Sequence, residues 1–130
     1  MRDLTGTWRL VKAEARDQDG NSMPPPYDGQ GIGRIVFSPG GRMSVMMIDG
    51  RVEIPAGQTR EYSGYCGTYT YDGTRLVTTV DAAPDKSRVG SEQPRGVHWD
   101  GDRMVLRPPA RAIGGKTEQR ELTWERISDI

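Results

Sequence analysis

Gly6-Thr7-Trp8-Arg9-Leu10-Val11 opens the first strand-like run of this chain, and Leu122-Thr123-Trp124-Glu125-Arg126 lies in the last. Both runs alternate apolar and polar side chains with a period of two, the mark of a strand with one buried face. A guanidinium can lie flat against an indole, held by the ring's negative face. Arg126 stacked on Trp8 would bring the two ends of the chain together.

Between these ends, the 130 residues carry 17 Gly and nine Pro, which cut the chain into short runs. The pattern predicts strands over Thr7–Ala15, Gly31–Ser38, Arg42–Ile48, Gly64–Tyr71, Thr74–Asp81, Gln93–Trp99, Arg103–Arg107 and Lys116–Ile127. Pro39-Gly40-Gly41, Asp72-Gly73 and Asp100-Gly101-Asp102 are hairpin turns, because Gly accepts the positive φ that such turns require. Asp17–Gln30 holds three consecutive prolines and reads as a surface loop crossing one end of the sheet. Asp49–Ser63 contains Pro55 and Gly57 and fits either a lid or a short helix. Ala82–Glu92 and Pro108–Gly115 read as loops. Eight strands joined mostly by hairpins predict an all-β fold, an eight-stranded antiparallel up-and-down β-barrel formed by a single domain over residues 1–130. At this strand number the interior either fills with side chains or holds one small ligand.

Composition removes several function classes. Eighteen acidic residues balance 18 basic ones, and each half of the chain is balanced as well. No basic stripe tracks phosphates, so nucleic acid is not expected as a partner. Fifteen of the basic residues are Arg, an excess that high-GC codon usage also produces. The single cysteine, Cys66, excludes an intrachain disulfide and fits a reducing compartment. No apolar segment follows Met1 as in a secretory signal, and no apolar run has the length of a membrane span. A soluble cytoplasmic protein without a membrane partner is expected, and a homodimer is left open.

Five segments resemble, in order, the bacterial and fungal lipocalin-like domain family within the wider calycin group. They are Gly6–Val11, Phe37-Ser38-Pro39-Gly40-Gly41-Arg42-Met43-Ser44, Tyr65-Cys66-Gly67-Thr68-Tyr69, Gln93-Pro94-Arg95 and Leu122–Arg126. The resemblance covers nearly the whole chain. It implies an eight-stranded barrel with an apolar cavity, floored by Trp8 under Arg126, and it implies no single activity. Relatives of similar architecture include cofactor-free cyclases and isomerases of natural-product pathways. Family members often carry a His in the fifth strand, where this chain has Thr78-Thr79.

Alternation selects the candidate lining. Met43, Val45 and Met47 share one face of their strand, and thioether side chains suit an irregular ligand. Tyr65 and Tyr69 share a face of theirs and offer flat walls with one hydroxyl each. Which faces of these strands turn inward is left open, and plain barrel core is the other reading. In Gln93–Trp99, either Arg95, Val97 and Trp99 face in, or His98 does. His98, the only histidine, would be the natural acid or base near neutral pH. Taking phase from Trp8, Val36, Val97 and Trp124 turns Glu14, Arg34, Arg95 and Arg120 inward, as a base with enolate- or carboxylate-binding cations or as an internal ion-pair network.

Glu14, Tyr69 and His98 are therefore the candidate catalytic groups. Arg34, Met43, Val45, Met47, Tyr65, Tyr69, Arg95, Val97, Trp99 and Arg120 are the candidate ligand contacts. A lone His without a nearby Cys has no metal-ligand spacing, so neither metal nor cofactor is expected. There is no GxSxG elbow and no phosphate-cradling glycine loop. The leading expectation is a barrel that binds a small, largely apolar or aromatic organic molecule. The alternatives are a cofactor-independent cyclase or isomerase of a polyketide-like pathway working in the same cavity, and a structural barrel with a filled core.

Overall fold

A computed structural model describes residues 1–130. Its strands are β1 (Gly6–Arg16), β2 (Gly31–Phe37), β3 (Arg42–Asp49), β4 (Tyr62–Tyr71), β5 (Arg75–Ala82), β6 (Glu92–Asp100), β7 (Arg103–Arg107), β8 (Arg111–Ile113) and β9 (Lys116–Ser128). Every pairing is antiparallel. Neighbours follow chain order from β1 to β7, then β9, and β9 pairs back onto β1. Eight strands thus close an antiparallel barrel. The ninth, β8, lies in the expected Pro108–Gly115 loop and forms a short hairpin with the start of β9.

Loop length divides the two ends of the barrel. The β2–β3, β4–β5 and β6–β7 connections are tight turns at one end. The β1–β2, β3–β4, β5–β6 and β7–β9 connections are long and gather at the other. The first end is the floor. Register pairs Trp8 directly with Arg126, so both side chains share a face, and the guanidinium carbon sits 4.5 Å from the centre of the Trp8 ring. Trp8 is 1% exposed, and its indole N–H donates to the Leu4 carbonyl at 2.9 Å. Trp99 packs 6.0 Å from Trp8, and Arg2 covers Trp99 at 4.4 Å. Two neighbouring indoles thus lie between two cations across the floor.

Strand phase follows from two local features. Val11 has no partner on β9, because the register steps from Leu10↔Trp124 to Lys12↔Thr123. This bulge switches the inward face of β1 from Trp8 and Leu10 to Ala13 and Ala15. In β2 the inward residues are Gly31, Gly33, Ile35 and Phe37. A Cβ on Gly33 would lie 3.0–3.1 Å from Met47, Leu10 and Trp124, so the glycine makes room for the Trp124 ring. On β4, a Cβ on Gly67 would overlap the Thr79 carbonyl where the β4–β5 register shifts.

The long connections are irregular. Asp17–Gln30 carries a single turn at Pro26–Gly29 in which Tyr27 and Asp28 have φ of 57° and 54°. The segment between β3 and β4 contains no helix. It is pinned by Asp49, which takes Arg51 at 2.7–3.2 Å, and by Arg60, which donates to the Asp49 carbonyl at 2.8 Å. No helix of the chain is long and apolar enough to cross a membrane.

Replacing Trp8 with Ala removes the centre of the floor and is expected to lower stability by about 3–5 kcal/mol, as large aromatic deletions from a core do. A urea unfolding curve that overlays the wild-type curve would show that the floor does not hold the barrel.

Candidate functional site

Above the floor lies a cavity of about 480 Å³ that opens among the long loops. Its walls change character along each strand. On β9 the inward residues run Glu118, Arg120, Leu122, Trp124 from mouth to floor. On β6 they run Gln93, Arg95, Val97, Trp99. Strand β3 contributes Met43, Val45 and Met47, and Ile35, Leu76 and Leu106 complete the apolar part. The upper wall is polar. It holds Tyr27 from the β1–β2 loop, Glu61 just before β4, Ser63 at the start of β4, Asp85 and Arg88 from the β5–β6 loop, and Arg111 from β8.

The polar wall is laced by ion pairs. Glu118 is only 5% exposed and takes Arg111 at 2.7 Å and Arg120 at 3.0 Å. Arg120 also reaches Glu61 at 3.7 Å, and Glu61 accepts the Tyr27 backbone N–H at 2.6 Å. Burial pushes the Glu118 carboxyl up, but the hydrogen bonds and charges of Arg111 and Arg120 outweigh it and hold its pKa below the ordinary 4.5. Burial raises the Tyr27 phenol, and the nearby Glu61 carboxylate adds to this. Arg88 donates to Ser63 Oγ at 2.9 Å and lies 5.3 Å from the centre of the Tyr65 ring.

The residues singled out by alternation divide into groups. Met43, Val45, Met47, Tyr65, Arg95 and Arg120 line the cavity. Glu14 does not face inward: the Val11 bulge turns it to the outer surface, where it pairs with Lys12 at 3.4 Å and Arg16 at 3.6 Å. Arg34 is also exposed, because Gly33 and Ile35 take the inward phase of β2 and Val36 points out with Arg34. Tyr69 faces in but belongs to the floor, edge-on to Phe37 at 5.0 Å, and burial raises its phenol pKa. Trp99 is a floor residue as well, donating to the Tyr71 hydroxyl at 3.2 Å. Val97 packs against the core rather than lining the cavity. His98 is exposed on the outer face opposite Val105. None of Glu14, Tyr69 and His98 reaches the cavity. No group of three or more His, Cys, Asp or Glu side chains is gathered as a metal site would require.

With this barrel and cavity in place, comparison with known families becomes informative. A family model described as the lipocalin-like domain matches residues 5–127. The chain belongs to the lipocalin-like domain family. Membership suggests ligand binding in general, without a particular ligand. No curated protein and no solved structure matches the chain.

Several wall residues of this lipocalin-like barrel escape a strand-by-strand reading. Tyr27, Glu61, Asp85 and Arg88 come from connections, where alternation carries no signal. Glu118 and Trp124, by contrast, share the phase of Arg120 and were within reach of the same argument. Two polar atoms buried inside the barrel have no partner, Thr78 Oγ1 and Trp124 Nε1. The Thr78 side chain turns inward between Leu76 and Val80.

A buried hydroxyl without a partner costs stability, so Thr78→Val is expected to stabilise the barrel by about 1 kcal/mol. A lowered thermal midpoint would mean that the hydroxyl is satisfied. Glu118 supplies a pH dependence. Because its folded-state pKa is depressed, its contribution is complete above the ordinary carboxylate range and is lost as pH falls through the folded value. Urea midpoints measured from about pH 6 down to about pH 3 should therefore fall less steeply in Glu118→Gln than in wild type. Parallel curves would remove Glu118 from the acid response.

Proposed function

We propose that this protein binds one small, largely apolar organic molecule inside its barrel and acts as a binding protein of the cytoplasm. The observation that carries this reading is the cavity of about 480 Å³. Ligand sites run to about 300–1,000 Å³, with mostly apolar walls and a few convergent polar groups. The Met43, Val45 and Met47 face supplies an adaptable wall, and the ion-paired upper wall supplies the polar groups. A structural barrel would have filled this space with side chains. The cyclase or isomerase reading has less behind it, since Glu14, Tyr69 and His98 all lie away from the cavity. The lone thiol, Cys66, suits a reducing compartment.

Nile red, a neutral apolar dye that brightens out of water, tests the reading. Wild type should bind it with a saturable rise in fluorescence. Val45→Trp, which fills the cavity from β3, should weaken binding by at least about tenfold while the far-ultraviolet spectrum stays that of a barrel. Equal binding by both proteins would place the dye on the outer surface and sink the cavity as the ligand site.

A further inference from the structure

We infer that the molecule held in this cavity is an amphipathic monocarboxylate, an apolar body carrying one acid group, and that Arg95 receives that group. The inference rests on the cavity being the ligand site and names the chemistry of its guest. The cavity wall carries four guanidiniums, Arg88, Arg95, Arg111 and Arg120, against three carboxylates, Glu61, Asp85 and Glu118. Arg111 and Arg120 are spoken for by Glu118 and Glu61. Asp85 is occupied by the Ser87 N–H and hydroxyl of its own turn at 3.0 and 2.7 Å. Arg88 has no salt-bridge partner, although Asp85 feels its charge.

Arg88 and Arg95 are the two cations outside the ion pairs. Arg88 is held by Ser63 Oγ at 2.9 Å and lies against the Tyr65 ring, which leaves Arg95 as the cation with no side-chain partner beyond its own strand. It forms no ion pair, and its side-chain contacts are the adjacent Pro94 carbonyl at 2.7 Å and Gln93 Oε1 at 3.5 Å. A guanidinium has five N–H donors in a fork that fits a carboxylate in two-point fashion. Register places it next to Leu76 on β5, and Val97 follows it on the inward face of β6. The unpaired charge thus borders the apolar part of the wall, where a partly buried cation gains most from a counter-charge. A guest that is apolar throughout would leave that charge uncompensated. A guest with a carboxylate would satisfy it and fill the remaining space with its apolar body.

Displacement of bound Nile red by two matched molecules, dodecanoate and dodecanol, tests this at neutral pH. Wild type should bind dodecanoate at least about tenfold tighter than dodecanol, the gain of one charge-assisted hydrogen-bonded pair. Arg95→Gln should abolish the preference by weakening dodecanoate alone, and Arg95→Lys should keep part of it. Arg34→Gln, on the outer face, should leave it intact. Equal displacement by acid and alcohol in wild type needs no variant to interpret and would overturn the inference while leaving the cavity as the ligand site. A preference that survives Arg95→Gln would overturn the role of Arg95. Failure of Nile red to bind at all would instead defeat the underlying reading of the cavity.

Discussion

Trp8 is held by three partners: Arg126 across its face, Trp99 tilted against it, and the Leu4 carbonyl on its N–H. The direct pairing of Trp8 with Arg126 is also part of the seam that closes the sheet. One contact therefore does two things. It joins the first strand to the last, which removes the free edges that invite aggregation, and it seals one end of the resulting tube. The cavity exists because the opposite end receives no such plug. There the long connections arrive with prolines, arginines and carboxylates, which pack around an opening instead of across it.

The interior is graded as a result. Indoles and phenols crowd the floor, aliphatic and thioether side chains form the middle, and paired charges ring the mouth. The gradient is written into single strands, as in the Glu118, Arg120, Leu122, Trp124 face of β9. Placing the charges at the open end spares them full desolvation. It also leaves the cavity chemically two-sided, able to hold the apolar part of a molecule while addressing its polar part.

The barrel, its strand order and its hairpins were legible in the sequence, because period-two alternation and Gly-rich turns are local signals, and the floor was implied by the family resemblance. The lining was legible wherever a strand kept its phase, as in Met43, Val45 and Met47 or Arg120. It failed where geometry interrupted the count. One unpaired residue, Val11, turned Glu14 out, and the inward glycines of β2 hid the true face, so that Arg34 was set inside. Tyr69 and Trp99 were in phase but at the wrong height, since alternation tells in from out and says nothing of depth. The loop contributions of Tyr27, Glu61 and Arg88 depend on how the connections fold over the mouth, which no periodicity encodes.

The seam has a consequence for how the molecule is made. Its partners, such as Thr7 with Ser128 and Arg16 with Gln119, come from the first and the last strand of the barrel. Until the final strand leaves the ribosome, the growing sheet can curl but cannot close, and both β1 and β7 present unpaired backbone beside an unburied apolar face. Contacts so distant along the chain also make closure slow, because most of the loop entropy must be lost before the seam returns anything. The nascent protein is most vulnerable to mispairing in that interval, and β9 decides whether it ends.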